Sequence, residues 1–580
     1  MKKIITVLVI PLALLVFNCG GDKSIGSGSI GKGGIQLGGV LRVNEVEIIK
    51  SLMPIAINEM NSYHVASQVY EGLTRYNESD LAVIPAIARS WDISPDHLEY
   101  TFHMRSKVKF HNDPCFKDSI GRFVTTSDVK FCFENLCSKN INNSQYDVTF
   151  KDRVEGADEF FAESTSGQVR NFSGITVIDD STLKIKLVRP DANFLNILAM
   201  PGCYIYPKEA YAKYGDKMRM LCVGTGPFYI DSLIEGKRVS MQRNADYWGI
   251  DTSGNKLPYL DGIKWTFIPD KKTEVQEFKQ GKIDMIYNIP VELFHEIFGD
   301  NQANSGRSIS FEIFSSPALR TNYYGFNLQT NPFFSIKEIR QAFNLAIDRH
   351  KIADYILKGE GRSADYGIVP YTDVFEKNGY DYKHLKGYTY NPDSAKKLLA
   401  LAGYPGGKGL PDFNLEINSG GGDRNILVAL GIQKMLNDNL GINVNMNVVS
   451  WPEHIENVQS GKSDFFRYAW ISDYPDPESF LTLFYGKHVP NNYMDKSYIN
   501  YCRFKNAKFD SLFNAARSEP DKTRRYKLFS QAEQIIIDEA AFMPLFYDEN
   551  LRLVQKNIMN MKENPLNYMD MSKAYFAPKK

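Results

Sequence analysis

The stretch FFRYAWISDYPDPESF, residues 465–480, carries the side chains best suited to chemistry. It places a guanidinium at Arg467, an indole at Trp470 and a carboxylate at Asp473, before Pro475 and Pro477 stop regular structure. A carboxylate pairs with an ammonium, a guanidinium grips a carboxylate, and an indole offers a flat apolar wall. The same residues admit plainer roles: Asp473 capping the turn, Arg467 as a surface charge, Trp470 as core. Asp476, between the two prolines, suits turn stabilisation. Reactive chemistry finds little support. The 9 histidines are scattered, as His111 in VKFHND and His454 in WPEHIEN show, and no H-E-x-x-H or G-x-S-x-G motif occurs. The expectation is a binding protein, not an enzyme, with no metal and no cofactor.

The elements that must position these groups are legible as periodicities. LEYTFHMR alternates, with Leu98, Tyr100, Phe102 and Met104 on one face; STLKIKLVRP does so through Leu183, Ile185 and Leu187. SIKEIRQAFNLAIDRHKIADYIL reads as one helix. A capping box at Ser335 and Glu338 opens it, and an apolar stripe runs through Ile339, Ala342, Phe343, Ala346 and Ile347. NPDSAKKLLALAGYPGG reads as a helix that stops at Gly403, with Pro405 preventing continuation. The class is α/β. GTGPF sets Gly224 and Gly226 around a crossing where a side chain would not fit.

The N-terminus sets the compartment. MKKIITVLVIPLALLVFNCG has Lys2 and Lys3, an apolar run from Ile4 to Phe17, and then Cys19. A short basic region before an apolar core too short to span a bilayer is a secretory signal. Cys19, followed by two glycines, resembles a bacterial lipoprotein cleavage site, although Asn18 stands where a small residue is usual. Residues 1–18 are therefore expected to leave and Cys19 to be lipidated; a plain signal with an incidental cysteine is the alternative. Residues 19–38 form a Gly/Ser-rich tether. The G-x-G-x-x-G letters at Gly26, Gly28 and Gly31 lack the flanking strand and helix of a dinucleotide site. Equal counts of 68 acidic and 68 basic residues give no footprint for nucleic acid. The six cysteines beyond Cys19 match no metal module, and spacing alone does not choose a disulfide pairing.

Many segments in order, from VASQVYEGLTRYN through IPAIARSWDISPDHLEYTFHMRSKVKFHND, VGTGPFYI, LPYLDGIKWTFIPD and YYGFNLQTNPFFSIKEIRQAFNLAIDR to residues 465–480, resemble one family. It is the extracellular solute-binding proteins, family 5, of peptide-type ABC transporters. The resemblance implies a two-lobed periplasmic-binding-protein fold, type II-like and cluster C, with a ligand cleft between the lobes. Lobe I would comprise residues 39–322 and 549–580 with an embedded subdomain at about 71–205; lobe II would comprise 323–548.

It also implies a peptide ligand, an ABC permease and ATPase as partners, and a monomer held at a membrane by its lipid, facing the periplasm or cell exterior. At matching positions, Asp473 would take the ligand's ammonium and Arg467 the carboxylate of short ligands. Trp451 and Trp470 would line side-chain pockets, with Tyr547 and Tyr146 reaching the cleft. An oligosaccharide or another solute in the same fold, and a sensory lipoprotein without transport, remain open on these residues.

Overall fold

Alternation along LEYTFHMR becomes the strand Glu99–Met104, which buries Tyr100, Phe102 and Met104. It pairs antiparallel with Ala88–Ile93 and with Thr182–Lys186, which buries Leu183 and Ile185. Ile175–Asp179 completes this four-stranded sheet. The turn feeding it is fixed by Asp96, whose carboxylate accepts the Leu98 N–H at 3.1 Å. In the GTGPF segment, a Cβ on Gly224 would lie 2.0 Å from the Val69 carbonyl oxygen and one on Gly226 2.5 Å from that of Gln68. Both sites admit only glycine.

The computed structural model of the chain describes residues 29–164, 172–289, 311–419 and 424–578, with Leu293 and Ile297 besides. The expected signal, Cys19, Gly26 and Gly28 lie outside the described residues. No described helix is long and apolar enough to cross a membrane. The helix expected from Ser335 begins instead at Lys337 and ends at Leu345. The Ser335 hydroxyl donates to the Pro332 carbonyl at 2.6 Å and so is not a cap. Asp348 ends the run by capping a new helical segment, accepting the Lys351 N–H at 3.0 Å. Pro392–Leu401 behaves as read: Asn391 caps it, and Gly403 takes a φ of +94° just past its end.

Among the described residues the principal sheet has 11 strands. One end runs Val444–Val449, Phe413–Asn418, Phe465–Ile471; the other runs Met285–Tyr287, Val40–Asn44, Gly262–Thr266, Arg238–Arg243, Phe228–Ile234. Two long antiparallel strands, Phe311–Phe326 and Phe542–Gln555, join the ends, and Gly361–Ser363 adds to the second of them. Sixteen extended residues reach about 50 Å, enough to cross from one half to the other. Their ladder is continuous from Phe311 to Pro317 and resumes at Thr321, with a register shift between.

That break coincides with a division of the core. One apolar cluster draws on Leu41 to Tyr287 and on Val554 to Phe576. Two others draw on Leu319 to Phe546. Among the described residues, Tyr474 alone comes from between Leu319 and Phe546 into the first cluster. Two bodies, each with its own apolar interior, thus share two strands.

Candidate functional site

The strand Phe465–Ile471 has one satisfied edge and one partly open edge. It pairs antiparallel with Arg320–Phe326 over its whole length. Ser472 continues that ladder by donating to the Leu319 carbonyl at 2.9 Å. Backbone groups alternate, so Trp470 and Tyr468 face the same partner, while Arg467, Ala469 and Ile471 direct theirs to the opposite edge. There the parallel partner Phe413–Asn418 pairs only at Phe465 and Phe466. The Arg467 carbonyl is taken by the His454 ring Nε2 at 2.8 Å. On that edge Ala469 and Ile471 have no strand beside them among the described residues. The open edge runs toward Asp473.

His454 explains why the edge opens there. It is fully buried, with its other ring nitrogen 2.8 Å from the Glu416 carboxylate. The helix Trp451–Ser460 is thereby pinned against both neighbouring strands. Ser450 caps it, accepting the Glu453 N–H. The cap aims Trp451, 45% exposed, out of the helix start, its ring 6.0 Å from that of Tyr468. Trp470, half-buried, lies on the same face of the strand as Tyr468, and its indole N–H reaches the Ser479 hydroxyl at 3.5 Å.

Asp473 sits on a braced turn. Its N–H donates to the Ser479 hydroxyl oxygen at 3.1 Å, and among the described residues its carboxylate accepts no hydrogen bond. Asp476 does the capping: it accepts the Glu478 N–H at 2.9 Å and pairs with buried Arg525 at 2.5 Å. The Asp473 side chain is exposed to water, although protein from both halves of the molecule lies near it. Desolvation pushes its carboxyl up to about 6, with Arg153 from the other half of the molecule pulling the other way. No ion pair is formed by Asp473 among the described residues. It is a carboxylate short of a cation.

Arg467 lies on the face of the strand opposite Tyr468 and Trp470. Its guanidinium donates to the amide oxygens of Asn322 at 2.9 Å and Asn418 at 3.1 Å, two neutral acceptors. Burial, and then the neighbouring Arg320 and Arg424 guanidiniums, push it down to about 10. Those two arginines share Asp548, Arg320 at 2.9 Å. Among the described residues Arg467 is thus a largely enclosed cation without a carboxylate of its own.

Two expected residues fall elsewhere. Tyr547 is 1% exposed, and its hydroxyl both donates to the Gly367 carbonyl at 2.9 Å and accepts the Gly367 N–H at 3.0 Å. Tyr146 is 3% exposed, stacks on Phe161 at 4.0 Å and bonds Asp158. Both are committed to the interior, so neither is available to a ligand in this arrangement. Sequence reasoning missed Arg153, Arg320 and Arg424: each is an arginine in unremarkable local context, brought in from far along the chain.

The described residues hold no cluster that would ligate a metal. The sequence profile of the bacterial extracellular solute-binding proteins, family 5 Middle, matches residues 82–492. The chain belongs to this family. It is 28% identical over 524 residues to the periplasmic oligopeptide-binding protein OppA of Salmonella typhimurium, which covers 89% of this chain and 88% of that protein. It is 27% identical over 527 residues to heme-binding protein A of Haemophilus influenzae, covering 89% and 88%. A solved structure of the ABC transporter-associated periplasmic binding protein DppA from Helicobacter pylori, in complex with the peptide STSA, matches with a TM-score of 0.72 and 25% identity. That match covers 93% of this chain and 98% of the other. The fold is the two-lobed α/β architecture of periplasmic peptide-binding proteins, as the resemblance implied.

Proposed function

We propose that this solute-binding protein is the receptor of an ABC importer that captures oligopeptides between its lobes and hands them to a membrane permease driven by an ATPase. The observation that carries the reading is the open strand edge at Ala469 and Ile471 leading to Asp473, an exposed carboxylate that forms no ion pair among the described residues. An extended peptide adds to such an edge as a further strand, bonded through its backbone whatever its sequence. Its ammonium then meets Asp473. The carboxylate of a short ligand meets Arg467, held in orientation by Asn322 and Asn418. Trp451 and Trp470 flank the variable side chains, with water filling the remaining space.

Closure turns about the break in the two joining strands near Pro317–Thr321, with lobe I as 39–322 plus 549–580 and lobe II as 323–548. The protein works as a monomer, exported and held at a membrane through a lipid on Cys19, and performs no chemistry on its ligand. Names among the relatives support peptides and also include haem. The test is a melting series on protein stripped by unfolding and refolding. A ligand that binds only the folded form at 100 times its Kd adds about 2.7 kcal/mol. A mixed tri- to pentapeptide pool is expected to raise Tm, and maltooligosaccharides and haem to leave it unmoved. A rise with either of those and none with peptides contradicts the proposal.

A further inference from the structure

The turn that carries Asp473 also carries Glu478, whose role peptide capture does not explain. Glu478 is almost fully buried, and its carboxylate accepts the Asn193 side-chain N–H at 2.7 Å across a sequence separation of 285 residues. Arg517 donates to it at 2.9 Å, and an Arg153 nitrogen lies 4.0 Å away. On the other side, Arg153 pairs with Asp191 at 3.0 Å, and Asp191 accepts the Asn193 backbone N–H at 2.9 Å. Beside this cluster Tyr474 enters the apolar interior of the first body.

The arrangement of charges is informative. Arg153 and Asp191 belong to one body, Glu478 and Arg517 to the other, and each pair is neutral by itself. Parting the bodies breaks the Asn193–Glu478 bond, the longer approach of Arg153 to Glu478, and the packing of Tyr474. It strands no buried charge, because each ion keeps its own partner. The pair split between the bodies is the 4.0 Å approach of Arg153 to Glu478, while the two shorter ion pairs stay whole when the bodies part.

The turn also links the contact to Asp473. Asp476, fixed by Arg525, holds the Glu478 N–H, and Ser479 holds the Asp473 N–H, so the two carboxylates move as one piece. We propose that Asn193 and Glu478 form a latch across the cleft that sets the fraction of molecules with the lobes together, and with it the apparent affinity for ligand. Apparent affinity scales with the binding-competent fraction, so a latch acts on a ligand it never touches. The affinity part rests on the peptide reading; the effect on lobe closure does not.

The test is Asn193→Asp, which sets a second carboxylate against Glu478. Small-angle scattering without added peptide reads lobe separation directly. Asn193→Asp is expected to enlarge the radius of gyration, with circular dichroism unchanged. Titration with the tri- to pentapeptide pool is expected to show about 10- to 100-fold weaker binding, the effect of losing one hydrogen bond to a charged group. Adding Glu478→Gln restores a donor–acceptor pair with the roles exchanged, and is expected to recover much of both losses. Should Asn193→Asp fold poorly, Asn193→Ala removes the donor without adding charge and should shift both readouts the same way by less. Unchanged scattering in both Asn193 variants overturns the latch, whatever the peptide pool does. Opening that the second substitution does not reverse overturns the assignment to Glu478.

Discussion

Replacing Asp473 by asparagine keeps the shape of the side chain and removes its charge. The Ser479 bond to the Asp473 N–H is a backbone contact and survives, as does the Asp476–Arg525 brace. Truncating one partner of a desolvated charge pair typically costs about 2–5 kcal/mol. Water reaches Asp473, so the lower part of that range applies: about 2–3 kcal/mol, or roughly 30- to 150-fold in Kd. The pH dependence follows from the carboxyl's rise to about 6. An ammonium needs the ionised form, so wild-type affinity is expected to fall as pH drops through about 6, and the asparagine variant to be flat over that interval. Stability runs the other way. A carboxyl with a raised folded-state pKa holds its proton more tightly when folded, so it costs stability as pH rises through that range. The asparagine variant should therefore melt no lower than wild type at pH 7.5. Isothermal titration between pH 5 and 8 reads the affinities. Equal affinity of the two proteins at pH 7.5, or an acid fall that persists in the variant, would refute the reasoning.

Other expectations follow from the interior. Tyr547→Phe removes a hydroxyl that serves both backbone groups of Gly367, and should cost about 1–3 kcal/mol in urea titration while leaving peptide Kd unchanged. A changed Kd with unchanged stability would return Tyr547 to the cleft. Gly224→Ala drives a methyl into the Val69 carbonyl, and soluble yield should collapse; normal yield would show that the segment shifts freely. Cys19→Ser should move the protein from the membrane fraction to the soluble one in a fractionated host, and no redistribution would remove the lipid anchor.

Local pattern was readable where one element settles its own environment. Tyr100, Phe102 and Met104 alternate because that strand has unlike faces. Asn391 and Gly403 mark a helix because caps are local. The Ser335 capping box misled because a preceding turn took the hydroxyl, which no periodicity reports. Phe311–Phe326 was not legible as a single strand. Its first half is largely solvent-facing and its second half buried, since it passes from one body to another. Tyr547 lies in a run, Phe542 to Asp548, buried on both faces, so alternation could not say which residues meet the cleft. Asp473, Arg467, Trp470 and Trp451 could be proposed from sequence because they fall within one strand, the turn after it and the helix before it. Arg153, Asn193 and Arg424 escaped because their partners are distant in sequence, and only the folded chain places them.

The most direct test of the central claim compares two ligand pools on one stripped sample. Isothermal titration with free-amine tri- to pentapeptides is followed by titration with the same pool acetylated at the N-terminus. Saturable binding of the first is expected, with a loss of about 30-fold or more for the second, because acetylation removes the cation that Asp473 lacks. Equal binding of the two pools would contradict the role of Asp473, and heat from neither would contradict peptide capture itself.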